Sequence, residues 1–173
     1  MIHCMTGDLL IRQAKKKDFA DLLPLFEELD SLHRTQLPEQ FQKPVGNARS
    51  LDFYCELLAD PDTALFVAEK KNQILGFVQI MLQETPAIEI LVPRVYGVID
   101  SLLVSADQQR QGLGEELVQA AENWARSRGA EYLDLNVYSF NHQAIGFYSN
   151  LGFSEISLKY RREIEDIEGS DQT

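Results

Sequence analysis

Cysteine is scarce in this chain, which holds only Cys4 and Cys55 among its 173 residues. Two thiols so widely separated do not suggest the disulfide framework that stabilises small secreted domains. Residues 1–5 also lack the basic flank and the apolar stretch of a secretory signal peptide. We therefore expect a cytoplasmic protein with free thiols.

Long apolar runs and positive charge are also lacking. No run approaches the roughly 20 apolar residues that cross a bilayer as a helix. Lys and Arg number 16 against 27 Asp and Glu, so the formal net charge is −11. Such a surface repels nucleic acid and anionic membranes and attracts cations such as amines. We expect neither a membrane nor a nucleic acid as partner.

Histidine is rare as well, and the three histidines do not stand at metal-ligand spacing. The sequence also shows no set of Cys, His and Asp residues that suggests covalent catalysis. We predict no metal site. His33 and His142 are expected to be polar residues that face solvent.

The hydrophobic pattern alternates between the periods of strands and helices. Strand patterns cover residues 9–14, 64–69, 74–83, 95–104, 132–137 and 154–162, and the polar residues 70–73 indicate a hairpin turn. A first helical pattern starts after Asp18, and Pro24 inside it predicts a kink or a restart of the helix. Further helical patterns cover residues 51–58, 112–128 and 141–150. Residues 32–50 are expected to form a loop or broken helix, and residues 84–94 a long excursion.

Hairpins come first and crossover helices later, and this order predicts one α+β domain with a mixed sheet. The domain is expected to span residues 1–173, with its core at residues 9–162. Residues 163–173 are acidic and polar, and we expect them to be frayed.

A turn with two glycines separates the strand pattern at residues 95–104 from the following helix. Its sequence is Gln109-Arg110-Gln111-Gly112-Leu113-Gly114. Backbone N–H groups at such a helix start can hold phosphate. A dinucleotide fingerprint would need a third glycine where Leu117 stands, and a P-loop would need a following Lys-Ser/Thr. The turn alone leaves open a purely structural role.

A second motif, after the turn, carries a family resemblance. Gln109-x-x-Gly112-x-Gly114, together with the run from Asn141 through Ala144, Phe147 and Tyr148 to Gly152-Phe153, resembles the GNAT superfamily of acyl-CoA-dependent N-acetyltransferases. The resemblance covers nearly the whole chain. It implies a mixed central sheet, flanked by helices and splayed open between the strands at residues 95–104 and 132–137.

The resemblance also implies a binding site for acetyl-CoA as co-substrate. Exposed strand backbone at Leu102, Leu103 and Val104 would pair with pantetheine and could stabilise an oxyanion. The pyrophosphate would rest on Gln109, Arg110, Gln111, Gly112, Leu113 and Gly114, and Asn141 and Tyr148 belong to the cofactor motif.

The family pattern assigns the chemistry to two residues. Tyr148 matches the tyrosine that protonates the departing CoA thiolate, because a phenol with a pKa of about 10 stays protonated at neutral pH. Asp100 stands in an apolar strand where family members often carry an acid, and it could serve as the general base. A structural hydrogen-bonding role for Asp100 is an equal alternative. Tyr96, Asn136 and Tyr138 are candidates to line the same cleft.

The resulting prediction is direct transfer of an acetyl group from acetyl-CoA to a primary amine, in a ternary complex. The acceptor would be a small molecule or a peptide, and its identity is open. Alternatives are another acyl donor, a protein N-terminus or lysine as acceptor, an acyl-CoA-binding regulatory module without turnover, and a plain interaction domain. A homodimer is possible, since dimers are common in the family.

Overall fold

The computed structural model describes residues 9–164. The chain splits into two compact units, one ending at Phe140 and one beginning at Asn141. The described part of the first unit is therefore residues 9–140, and that of the second is residues 141–164. Most of the predicted acidic tail lies outside the described residues.

The first unit contains a mixed sheet, as predicted, and this sheet has five strands. The strands are β1 (Leu9–Gln13), β2 (Thr63–Lys70), β3 (Gln73–Glu84), β4 (Val95–Val104) and β5 (Leu133–Leu135). They lie in chain order, with β1 to β4 antiparallel and β5 parallel to β4. Lys71 and Asn72 both adopt positive φ between β2 and β3 and form a two-residue turn, within the polar residues 70–73 where a hairpin turn was predicted.

Three helices pack on this sheet: α1 (Phe19–Gln36), α2 (Leu51–Ala59) and α3 (Leu113–Arg126). Helix α1 continues through Pro24 to Gln36, further than the predicted boundary at Leu32. The proline removes one backbone donor. Burial of Leu22, Leu25 and Phe26 around it stabilises the helix across that position.

Helices cover both faces of the sheet. The Phe77 ring of β3 meets Phe26 of α1 edge to face, with ring centroids 4.9 Å apart. Ile80, also on β3, lies with Ala125 of α3 around Gly97. Residues of opposite parity on one strand point to opposite faces, so α1 and α3 lie on opposite sides. Trp124 of α3 is buried, together with Leu117 and Ala121 on the same apolar stripe of that helix.

A buried charge network joins β1 to the start of α1. Arg12 donates to both carboxylate oxygens of Asp18, at 2.6 and 3.0 Å, and to Glu69 of β2 at 2.6 Å. The backbone N–H of Lys15 donates to Asp18 at 2.7 Å. Asp18 is only 3% exposed, so its charge depends on these partners.

The second unit contains α4 (His142–Asn150). The Asn141 side chain accepts a hydrogen bond from the Ala144 N–H at 3.0 Å and caps the helix start. Gly152, with φ of +90°, ends it in the left-handed conformation typical of helix stops.

The strand predicted at residues 154–162 is wrong, because none of these residues is in a strand. Their alternation of apolar and polar residues has the period of a strand, but a strand also needs a hydrogen-bonded neighbour, and the described residues provide none. Ile156, Leu158 and Tyr160 are consequently 79%, 65% and 85% exposed. The predicted strand at residues 132–137 exists in shorter form as β5.

Candidate functional site

Strand β4 loses its partner halfway along. β5 pairs only with Gly97, Val98 and Ile99, whereas β4 continues to Val104. In the described chain no strand pairs with that side of β4 beyond Ile99. Leu102, Leu103 and Val104 lie on this open stretch, where strand N–H and C=O groups are available to a ligand.

Gly97 allows β4, β5 and α3 to approach closely before the strands part. A Cβ at this position would lie 2.6 Å from Leu133 Cδ2 and 3.2 Å from Ala125 Cβ. A larger residue would push β5 away from β4 at its paired end. Gly97 therefore allows β4 and β5 to stay paired here, before they separate beyond Ile99.

A β-bulge marks the point where the two strands diverge. Gln79 pairs with Ser101 and Ile80 with Ile99, which leaves Asp100 without a register partner. Bulges bend a strand and occur often beside active sites. Asp100 is exposed and accepts a hydrogen bond from Ser101 Oγ at 3.2 Å. The bulge was missed in the sequence, where Asp100 was only an isolated acid in an apolar strand.

The glycine turn is fixed to the end of β4. Gln109 Nε2 donates to the Val104 carbonyl at 3.1 Å, so this side chain positions the turn. Arg110 and Gly112 both adopt positive φ, at +60° and +86°. Left-handed residues within a turn are typical of nests, in which successive backbone N–H groups bind an anion.

The first turn of α3 has no side-chain cap. Gly112 occupies the capping position without a side-chain oxygen, and the first helical bond runs from Glu116 N to Gly112 O at 3.1 Å. The N–H groups of Leu113 and Gly114 precede that bond. Leu113 is buried, so only its backbone can serve a ligand, whereas Arg110 and Gln111 are exposed. This donor set fits a pyrophosphate.

Tyr148 lies on α4 between two aromatic rings of its own unit. Its ring centroid is 5.1 Å from that of Phe147 and 5.5 Å from that of Phe153. Burial raises the pKa of Tyr148 to about 12. The phenol therefore stays protonated at neutral pH and can donate a hydrogen bond.

The predicted site residues thus fall into two groups. Asp100, the open stretch of β4 and the glycine turn belong to the first unit, and Asn141 and Tyr148 belong to the second. Within the first unit, consecutive elements connect the bulge, the strand end and the turn. In the second unit, the side-chain oxygen Oδ1 of Asn141 accepts the capping hydrogen bond from the Ala144 N–H. The side-chain amide nitrogen of Asn141 carries two N–H donors.

A cluster of aromatic rings in the first unit was missed in the sequence. His33 of α1 lies 5.3 Å from Phe41, 5.6 Å from Tyr138 and 6.2 Å from Phe140, measured between ring centroids. His33 is half-buried rather than the solvent-facing residue that was predicted, and its Nδ1 lies 2.9 Å from the Leu29 carbonyl. We refer to His33, Phe41, Tyr138 and Phe140 as the aromatic cluster.

The other two candidates for lining the cleft lie outside the cluster. Tyr96 stacks on Tyr132 at 5.1 Å and donates to Gln83 at 3.1 Å, nearer the start of β4. Asn136 is exposed. No local pattern marks the aromatic cluster, because its contacts join residues far apart in the chain.

Within residues 9–164, no three His, Cys, Asp or Glu side chains are grouped so as to hold a metal ion. No helix in that range combines the length and the apolar character needed to span a bilayer.

Comparison with known proteins identifies a family. The model of the Acetyltransferase (GNAT) family matches residues 26–153. An uncharacterised N-acetyltransferase, YhfO, of Bacillus subtilis is 27% identical over 145 residues, covering 84% of this chain and 89% of its own.

Two further relatives carry more specific names. An N-alpha-acetyltransferase of Sulfurisphaera tokodaii is 26% identical over 76% of each chain. An aminoglycoside N(6')-acetyltransferase of Klebsiella aerogenes is 26% identical over 61% of this chain and 68% of its own.

Among solved structures, a mutant of the BH1408 protein from Bacillus halodurans shares the fold. It superposes with a TM-score of 0.84 at 19% identity, covering 90% of this chain and 99% of that one. The predicted α+β architecture with an open mixed sheet is confirmed.

Proposed function

Because the chain belongs to the GNAT family of acetyltransferases, we propose that it acetylates a primary amine directly, in a ternary complex with acetyl-CoA and acceptor. The family is one of acetyl-CoA-dependent acyltransferases, and the chain is such an enzyme. The observation that carries the finer proposal is the uncapped start of α3, directly behind a strand whose edge is open. Both features leave backbone groups for a ligand.

The first unit would hold most of the co-substrate. Backbone groups of Leu102, Leu103 and Val104 pair with the pantetheine arm. The N–H groups of Gln111, Gly112, Leu113 and Gly114 hold the pyrophosphate, Arg110 balances its charge, and Gln109 positions the turn. Asn141 belongs to the family's cofactor motif, and its side-chain amide nitrogen is a further candidate donor.

Acetyl-CoA supplies an activated acetyl carbon. Transfer forms the bond between this carbon and the acceptor nitrogen and breaks the bond from carbon to sulfur. An ammonium acceptor gives up one proton before it attacks and a second as the tetrahedral intermediate collapses, and the sulfur departs as a thiolate that takes a proton from solvent. Asp100, exposed at the bulge, takes the proton from the ammonium directly or through water.

Tyr148 acts on the departing sulfur. Its pKa of about 12 lies well above the ordinary pKa of a thiol, about 8.5. Complete proton transfer from phenol to thiolate is therefore uphill, and a hydrogen bond that stabilises the developing negative charge is the better use of this group.

Two names among the relatives correspond to different amine acceptors, a protein N-terminus and an aminoglycoside. The proposal takes the class they share, a primary amine. It includes one domain over residues 1–173, since the family match crosses the boundary between the two units. It also includes a cytoplasmic location and a homodimer, and light scattering of the full chain tests the homodimer.

The proposal is tested with the full chain by calorimetry of acetyl-CoA binding and by thiol release across a panel of amines. The Tyr148→Phe variant is expected to lower kcat about ten- to hundredfold and to leave the Kd for acetyl-CoA within twofold. Tyr160→Phe is the matched control, because Tyr160 belongs to the same unit and is 85% exposed. Equal turnover in both variants would remove Tyr148 from the mechanism.

Asp100 is tested by the pH dependence of the rate. Asp100→Asn is expected to lower kcat/KM and to shift the acidic limb of the pH–rate profile. An unmoved profile would assign Asp100 a structural role. Acetyl-CoA binding without thiol release from any amine would favour the regulatory module.

A further inference from the structure

We propose that the aromatic cluster is the wall that selects the acceptor, and that the preferred acceptor is a monoamine with an apolar or aromatic body. A polycation such as a polyamine or an aminoglycoside would be a poor substrate. This inference rests on the proposed function, because it names the substrate class for the same transfer site.

The cluster lies beside the point where β4 and β5 part. The last pair between these strands joins Ile99 to Leu135, and Asp100 follows Ile99 at the bulge. Tyr138 follows Leu135 closely in the chain, so its Cα lies within about 10 Å of the last strand pair. An acceptor nitrogen near Asp100 therefore has the aromatic cluster within reach of its carbon body.

The rings hold three segments of the first unit together. Phe41, from the loop after α1, packs edge to face on Tyr138 at 5.9 Å, and Tyr138 lies nearly parallel to Phe140 at 5.8 Å. Spacings this short leave no cage between the rings for an ammonium group. Tyr138 is nevertheless 41% exposed. It presents an apolar surface that buries a hydrocarbon or ring when an acceptor binds.

Two charged pairs of α1 lie on the side of the cluster that Phe41 forms. On α1, Asp30 pairs with Arg49 at 2.7 Å and Glu27 pairs with Arg34 at 2.6 Å. Phe41 also lines a cavity of about 420 Å³ whose charged residues are Asp30, Arg34 and Arg49. Two guanidinium groups and one carboxylate do not attract a second ammonium group.

The test compares acceptors that differ by one charge. Pentylamine and 1,5-diaminopentane have the same carbon chain, and 2-phenylethylamine adds a ring. With the full chain and saturating acetyl-CoA, kcat/KM for pentylamine is expected to exceed that for the diamine by about tenfold or more. The value for 2-phenylethylamine should be higher still.

Variants then connect this preference to the cluster. Phe41→Leu and Tyr138→Leu are expected to raise KM for 2-phenylethylamine about fivefold, with little change in kcat and none in the Kd for acetyl-CoA. Val45→Ala is the matched control, because Val45 lies in the same loop and is fully exposed. The leucine variants keep apolar bulk and preserve folding, which circular dichroism verifies.

The outcomes separate this inference from the proposed function. Faster acetylation of the diamine or of kanamycin would overturn the inference and leave acetyl transfer intact. Unchanged KM in both leucine variants would also overturn it. Failure to bind acetyl-CoA would instead refute the proposed function, and the inference with it.

Discussion

Helices α3 and α4 begin in opposite ways. At α4 the side chain of Asn141 accepts from the Ala144 N–H at 3.0 Å, and α2 begins similarly, with Ser50 accepting from Phe53 N at 3.1 Å. At α3 the capping residue is Gly112, which has no side chain to offer. The chain thus caps α2 and α4 internally and leaves the first N–H groups of α3 without a side-chain partner.

If the proposed function is right, the start of α3 is where the protein gives up stability for binding. A side-chain cap stabilises a helix by about 1 kcal/mol, and α3 lacks that contribution. Its N–H groups and the positive end of its dipole remain available for an anion. Substitutions at the start of a helix that a ligand completes should therefore weaken ligand binding, whatever they do to stability. The reverse should hold for a self-capped helix.

The start of α1 gives the largest expected effect, because a charge network fixes it. Asp18→Asn is expected to lower the free energy of unfolding by about 3 kcal/mol, since Arg12 would lose its buried partner. Chemical denaturation of the full chain measures this. Asp21→Asn is the control, because Asp21 lies exposed on the first turn of the same helix.

The same network predicts a pH dependence. The hydrogen bond from Arg12 lowers the pKa of Asp18 below its usual value. A lowered pKa in the folded state stabilises the protein above the unfolded pKa, about 3.9, and that stability is lost as pH falls below it. Denaturation of the wild type between pH 6 and about pH 3 should show this loss, and Asp18→Asn should show less of it. Parallel curves for the two proteins would contradict the assignment.

Local features of the fold could be predicted from the sequence. The hairpin between β2 and β3 follows from polar residues between two β-prone runs, and α3 follows from the spacing of Leu117, Ala121 and Trp124. Both signals lie within one segment of the chain. Helix α1 extends past the predicted boundary at Leu32, because the apolar periodicity that fades there does not reflect tertiary packing.

Features that depend on a distant partner could not be predicted. The bulge at Asp100 arises from the register between β3 and β4, which no window of one strand reveals. The strand pattern at residues 154–162 was convincing locally and lacked a neighbour to pair with. Of the candidate site, the glycine turn and its strand were foreseeable, whereas the ring contacts of His33 and Phe41 were not.

The two ends of α3 give a further comparison. Gly112 and Gly129 flank this helix, both have φ of +86°, and a Cβ at either would meet nothing within 4 Å. Alanine at either position should cost about 1 to 2 kcal/mol of stability, because L-residues disfavour that conformation. Only Gly112→Ala should also weaken acetyl-CoA binding, by about tenfold, since its methyl group would stand against the pyrophosphate.

Calorimetry and thermal unfolding of the two variants decide the matter together. Similar melting temperatures with different affinities would locate the binding site at the start of α3. Equal losses of affinity in both variants would mean that strain in α3 alone weakens binding. The absence of a side-chain cap at the start of α3 would then not indicate a binding site.

The smallest expected effect concerns the self-capped helices. Asn141→Ala should destabilise α4 by about 1 kcal/mol and speed amide hydrogen exchange at Ala144, because that N–H loses its acceptor. Ser50→Ala should do the same at Phe53, without a change in acetyl-CoA binding. Asn141→Asp separates the two roles of Asn141, since an aspartate caps as well but cannot donate. Exchange at Ala144 should then stay slow while affinity for acetyl-CoA falls, and unchanged affinity would reduce Asn141 to a helix cap alone.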